Sequence, residues 1–297
     1  MNVAILLALA ALLPAAPKNI AGAALDGDNI YTWGRELLEW NTESAPRRVV
    51  AKARLRFGEG GCIDGDSIIL QDSDLVRIRL ADGRRTVLDE GGEMHDCMAA
   101  TLFGKHGVLV VHRYAQVRFY YDSGEQEVYS FYTASKQGGL LRTDINGDGR
   151  DDILCGNYWI RSPEQFELPW RLFAINVRHE TPESANFRLA LLGTDLIAAQ
   201  GHMPAGFVYR YSPGADRTQQ WAETRVAELR YPHAVAATPA GVVIGENAGA
   251  GSRVFLLKND GTFDQIATTD GVHTALVQGN RVALVGAEHI IWISVTK

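Results

Sequence analysis

No stretch of this chain keeps a helical period for long, which excludes a helix bundle and argues against alternating strand–helix units. A basic surplus is also missing: 29 Lys and Arg stand against 35 Asp and Glu, a net charge of −6 that points away from nucleic acid. The basic run Arg47, Arg48, Lys52, Arg54 and Arg56 alternates with apolar residues and reads as the solvated face of an outer strand. Cysteine is scarce. Cys62, Cys97 and Cys155 are an odd set that cannot form a disulfide framework. Each lies in an apolar strand context, so buried free thiols are the expected state, with a Cys62–Cys97 bridge as the alternative. No Gly-rich phosphate loop opens a helix, and no serine nucleophile elbow is present. No apolar run is long enough to span a bilayer. The longest, Val3 to Leu13, covers eleven residues and suits the core of a secretory signal, with small residues Ala15 and Ala16 after it. The start of the chain lacks the usual Lys or Arg, which leaves a buried strand as the other reading. Residues 1–16 are therefore expected to be a signal and 17–297 one domain, secreted or periplasmic, with no transmembrane segment once the signal is removed.

What is abundant is short strands. Val76 to Leu80 and Val117 to Tyr121 alternate with period two, and turn signals such as Asp82-Gly83, Ser123-Gly124, Pro213-Gly214 and Asn259-Asp260-Gly261 punctuate the chain. Aligning hairpins on one turn exposes a repeat: ALDGDNIYTWG, CIDGDSIILQD, LFGKHGVLVVH, TDINGDGRDDILCGN, LLGTDLIAAQG, TPAGVVIGEN and LVQGNRVALVG. Asp26 to Asp64 and Gly241 to Gly279 are both 38 residues apart. A period of roughly 40 with four short strands per unit predicts an all-β, seven-bladed propeller of four-stranded antiparallel blades. Six or eight blades are the alternatives. The last unit supplies three strands, and a fourth is expected from around Lys18 to Ala21, closing the ring and removing its free edges.

The fourth repeat carries an unusual turn. Asp144, Asn146, Asp148, the carbonyl of Arg150 and Asp152 put an oxygen at every second position, the spacing a calcium ion needs, and Gly147 and Gly149 permit the wrap. A helix–loop–helix site would need a glutamate at the twelfth position, where Cys155 stands, and the loop runs instead into a strand, Ile153 to Gly156. The segment DINGDGRDDILCGNYW resembles the FG-GAP or VCBS repeat of integrin-type and secreted bacterial propellers. That resemblance implies structural calcium held between the first two strands of one blade. The turns Asp26-Gly27-Asp28 and Asp64-Gly65-Asp66 fill the same slot but are too short to wrap an ion.

In a propeller, the approach to each innermost strand and the exit from each second strand open on one face, around the central channel. His95, His233 and His273 stand at such approaches; His112 and His202 stand at such exits, with Asn157, Tyr158, Arg113, Gln200, Glu246 and Asn247 at equivalent exits and His289 just beyond another. Converging neutral imidazoles can hold a transition metal or exchange protons. His106 and His179 read as surface residues. Most of the six tryptophans read as blade core, with Trp159 placed beside the mouth. Two functions are compatible with this pattern. One is a monomeric, calcium-stabilised module that binds a glycan, peptide or protein on its loop face. The other is a metal-assisted lyase or hydrolase of acidic saccharides that uses the histidine-rich pocket.

Overall fold

The computed structural model describes residues 19–41, 48–178 and 180–296. The expected signal, Lys18, Arg47 and His179 lie outside the described residues. Within them there are 27 strands and no helix. The strands form seven antiparallel sheets in chain order, six of four strands and a last one of three. The blades cover residues 22–52, 61–89, 94–130, 140–174, 188–229, 232–269 and 274–294. Every hairpin aligned from the sequence forms the first turn of one blade. Ile20 donates a hydrogen bond to the Ala287 carbonyl at 2.9 Å, so the start of the described chain touches the last blade. A fourth strand there is not formed by the described residues.

The first strand of each blade is innermost. These are Gly22–Asp26, Gly61–Asp64, Met94–Leu102, Leu140–Thr143, Arg188–Leu192, Pro232–Thr238 and Thr274–Gln278, and each touches the next, with the seventh returning to the first. That contact order closes the ring. Second strands such as Asp195–Ala199 are buried along their whole length, because both faces meet a neighbouring blade. They therefore read as continuous apolar runs rather than alternating ones. Outer strands such as Ala222–Leu229 are largely exposed.

Seven apolar clusters hold the ring together, each between two neighbouring blades. Alternation along one strand divides its side chains between two of them: Ile153 and Cys155 pack toward blade 3, while Leu154 packs toward blade 5. Trp159 lies in the second of these clusters with its ring 4.8 Å from that of Phe173, so it is core and not part of the mouth. The cysteines depart from the expected free thiols. Cys62 and Cys97 form a disulfide between the inner strands of blades 2 and 3, and Cys155 is free and buried. The repeat places both at the inner strands of adjacent blades, with Cα atoms 5.6 Å apart, within bridging range.

Candidate functional site: the mouth of the central channel

A cavity of about 180 Å³ opens at the centre of the ring, lined by the start of the inner strand of every blade. Five charged or imidazole side chains reach it: Glu59 from the approach to blade 2, Asp96 from blade 3, Arg188 from blade 5, His233 from blade 6 and His273 from blade 7. His202 adjoins them, its ring centroid 4.9 Å from that of His233, and His95 stands 5.7 Å beyond His202. The fold thus brings four of the predicted mouth residues together: His95, His202, His233 and His273.

Two of these four are aimed by irregularities in the ladder. In blade 6, Pro232 pairs with Glu246 and Ala234 with Gly245, leaving His233 as the extra residue of a β-bulge. Blade 3 repeats the device, since Met94 pairs with His112 and Asp96 with Val111, leaving His95 unpaired. A bulge bends the strand and redirects the side chain that carries it.

Glu59 is the hub. Its Oε1 lies 2.5 Å from His233 Nε2 and 3.0 Å from Arg188 Nη2, and the same Nη2 lies 3.0 Å from His233 Nε2. On the other side of the ring, His233 Nδ1 is 2.8 Å from the His273 carbonyl. A carbonyl only accepts, so Nδ1 carries a proton, and in a neutral ring Nε2 is then a lone pair. A lone pair facing a carboxylate oxygen at 2.5 Å repels it unless a cation lies between. Arg188, within hydrogen-bonding distance of both atoms, supplies one cation beside them, and between them there is room only for a proton or, with small shifts, a metal.

The other imidazoles stay neutral. Burial draws His202 down to about 4, helped by the charges of Arg188 and His233. Burial likewise brings His273 to about 4 and pushes His95 well below the ordinary range. Nε2 of His95, His202 and His273 has no hydrogen-bond partner among the described residues. Burial alone would raise the Glu59 carboxyl; the His233 hydrogen bond and the Arg188 charge override it and hold it below the usual carboxylate range. Burial instead wins at Asp96, raising its carboxyl to about 6 against the pull of Arg188.

The remaining predicted mouth residues are engaged elsewhere. His112 lies 3.2 Å from Asp89 and lines a separate cavity of about 480 Å³ with Arg113 and Arg118. Asn157 Nδ2 donates to the Arg178 carbonyl at 3.1 Å. Tyr158 stacks on Phe131 with centroids 5.3 Å apart. The Glu246 carboxylate is buried and held by Arg253 and Arg230. Exits from second strands are therefore mostly tied down by hydrogen bonds or packing, whereas approaches to first strands point into the channel. Glu59 and Arg188 occupy those approaches in GEGG and FRLAL. The register rule reaches them once it is applied to every polar residue rather than to histidine alone.

The loop of Asp144 to Asp152 joins the first two strands of blade 4, at the end of the ring away from the imidazoles. Its donors gather at a turn. Asp144 accepts the N–H groups of Gly147 and Gly149, each at 2.8 Å, and Asn146 Nδ2 donates to Asp148 at 2.9 Å. Asp152 is buried and accepts the Ser162 N–H at 2.8 Å, while Arg150 reaches Asp148 at 2.6 Å. The oxygen set suits a hard cation, but in this conformation a guanidinium neutralises Asp148. Among the described residues, the one trio of acidic, histidine or cysteine groups whose ligand atoms lie within 4.8 Å of one another is Glu59, His202 and His233.

Solved structures agree on the architecture. The WD40 β-propeller domain of Doa1 is 10% identical, covering 95% of both chains with a TM-score of 0.67. This chain is a β-propeller. The β-propeller domain of Cps50 (Swd1) from Myceliophteria thermophila is also 10% identical, covering 97% of this chain and 100% of that one at a TM-score of 0.63. BamB from Moraxella catarrhalis is 15% identical over 94% and 83%, at 0.54. At such identities the likeness concerns the fold alone. No family model matches the sequence, and no curated protein is significantly similar to it. The FG-GAP resemblance therefore rests on the loop of blade 4. No helix of the described residues is long and apolar enough to cross a membrane.

Proposed function

We propose that this is an exported binding module whose channel mouth takes the carboxylate-bearing end of a larger ligand resting on the loop face. The observation that carries this reading is Arg188, the one Lys or Arg lining the cavity among the described residues. Among the described residues only its Nη2 is engaged, leaving Nε and Nη1 to meet a carboxylate side-on. The size of the cavity supports a terminal group. Whole-ligand pockets run to about 300–1,000 Å³, and this one holds about 180 Å³. A uronate at a glycan end and a free peptide C-terminus share the required chemistry. Calorimetry with a short oligouronide, its neutral counterpart, and a peptide with free or amidated C-terminus separates the two sources. Binding by one acidic member, lost at least about tenfold in Arg188→Gln, is expected; equal binding of neutral counterparts would refute the reading.

Export is supported by the Cys62–Cys97 bridge, which suits an oxidising compartment, together with the apolar N-terminus. Calcium at Asp144, Asn146, Asp148, the Arg150 carbonyl and Asp152 would brace one hairpin away from the ligand. Asp148→Ala is expected to lower the melting temperature measured in calcium and to remove its dependence on calcium, with ligand affinity unchanged. Identical wild-type melts in calcium and in chelator would reduce the loop to a turn.

One observation favours an enzyme as the second reading: Asp96, with its carboxyl raised to about 6, sits in the same cavity as a proton donor or acceptor. Cleavage of an acidic oligosaccharide, abolished in Asp96→Asn while binding persists, would make the module a lyase or hydrolase.

A further inference from the structure

We propose that Glu59, His202 and His233 bind a divalent first-row transition metal ion at the channel mouth. Two imidazoles and one carboxylate are the donor set of open zinc and non-haem iron sites. The three ligand atoms lie within 4.8 Å of one another, and ligands at about 2.1 Å on a tetrahedral ion sit about 3.4 Å apart, so adjustments of about 1 Å complete the site.

Two independent features point to an ion rather than a structural ion pair. His233 is already set in the ligating tautomer, because the His273 carbonyl holds its Nδ1 proton at 2.8 Å and directs the Nε2 lone pair at Glu59. Such a backbone acceptor behind a ligating imidazole is the usual second partner of a metal histidine. His202 Nε2 is buried yet has no hydrogen-bond partner among the described residues, a costly arrangement for a group with no ligand. Arg188 Nη2 stands 3.0 Å from both Glu59 Oε1 and His233 Nε2, so its guanidinium holds the place of a cation and has to move aside for the ion. Glu59 and His202 are only half-buried, which leaves one side of the ion open.

The ion would take over the neutralisation of Glu59 and release Arg188 toward a carboxylate, a consequence that rests on the function proposed above. Metal binding itself does not depend on it. The test uses untagged, chelator-treated protein titrated calorimetrically with zinc chloride and, separately, manganese chloride, with no organic ligand present. One ion per chain is expected for the wild type, weakened at least about tenfold in both Glu59→Gln and His202→Ala, and unchanged in His112→Ala. Melts in chelator that match the wild type show that the variants are folded; should His202→Ala fail to fold, Glu59→Gln carries the result. No binding by the wild type, or binding indifferent to both substitutions, overturns the site and leaves a proton between Glu59 and His233. Carboxylate binding by a wild type that takes up no ion upholds the binding module and removes the metal. An ion without any carboxylate binding does the reverse.

Discussion

Replacing Cys62 and Cys97 together with serine is expected to destabilise the protein by about 4 kcal/mol, the chain-entropy value for closing a loop of this length. The bridge spans 35 residues and joins inner strands of adjacent blades. Its absence frees the unfolded chain and also loosens the one covalent tie across the ring. The functional consequence follows from position. Glu59 lies three residues before Cys62, and His95 and Asp96 immediately precede Cys97. The bridge therefore fixes two of the strands that deliver groups to the channel mouth. Urea denaturation of the double variant, and of the wild type with and without a reductant, measures the effect. A midpoint indifferent to both treatments would mean that the thiols are unbridged in solution.

Glu246→Ala is expected to cost about 3 kcal/mol, although no ligand contact is removed. The carboxylate is buried and accepts the N–H groups of Arg230 at 3.0 Å and Arg253 at 2.9 Å, in addition to both guanidinium groups. Truncation leaves two backbone donors without partners, at about 1–3 kcal/mol each, partly relieved by entering water. The same site gives a pH signature. Burial alone would raise the carboxyl, but hydrogen bonds from Arg253 and the two N–H groups bring it down to about 2 from the ordinary 4.5. A folded-state value below the unfolded one stabilises the fold above pH of about 4.5, and that contribution disappears as pH falls toward about 2. The stability gap between wild type and Glu246→Ala should therefore be constant above about pH 5 and close as pH falls from there toward about 2. Parallel curves across that window would place the pair outside the folding equilibrium.

The blades were legible because their grammar is local. Glycine-containing turns mark each first hairpin, and second strands such as Ile68 to Leu70 or Val242 to Ile244 are apolar without interruption since both faces meet a neighbour. The bridge was harder to read. Burial of three apolar-context cysteines argued for thiols, yet Cys62 and Cys97 hold the same place in successive repeats, and ring closure turns that equivalence into contact.

The mouth was half legible for a related reason. Register predicts which end of a strand faces the channel, and that sufficed for His95, His202, His233 and His273. It does not reveal which polar groups the surrounding chain has already satisfied, so His112, Asn157, Tyr158 and Glu246 were indistinguishable from true mouth residues. The bulges that aim His95 and His233 depend on cross-strand pairing and leave no mark in a single strand. Glu59 and Arg188 come from the same register, but their chemistry is visible only once three blades put their charges within hydrogen-bonding distance.

Binding at the channel mouth requires the four imidazoles from blades 3, 5, 6 and 7 to act as one site. Side-chain ¹⁵N–¹H spectra of the histidines, followed while a short oligouronide and then a peptide with a free C-terminus are added, test this most directly. For the ligand that binds, the signals of His95, His202, His233 and His273 should move together with one saturation curve, while His106, His112 and His289 stay in place. Shifts confined to His112, scattered over all the histidines, or absent with both ligands would contradict it.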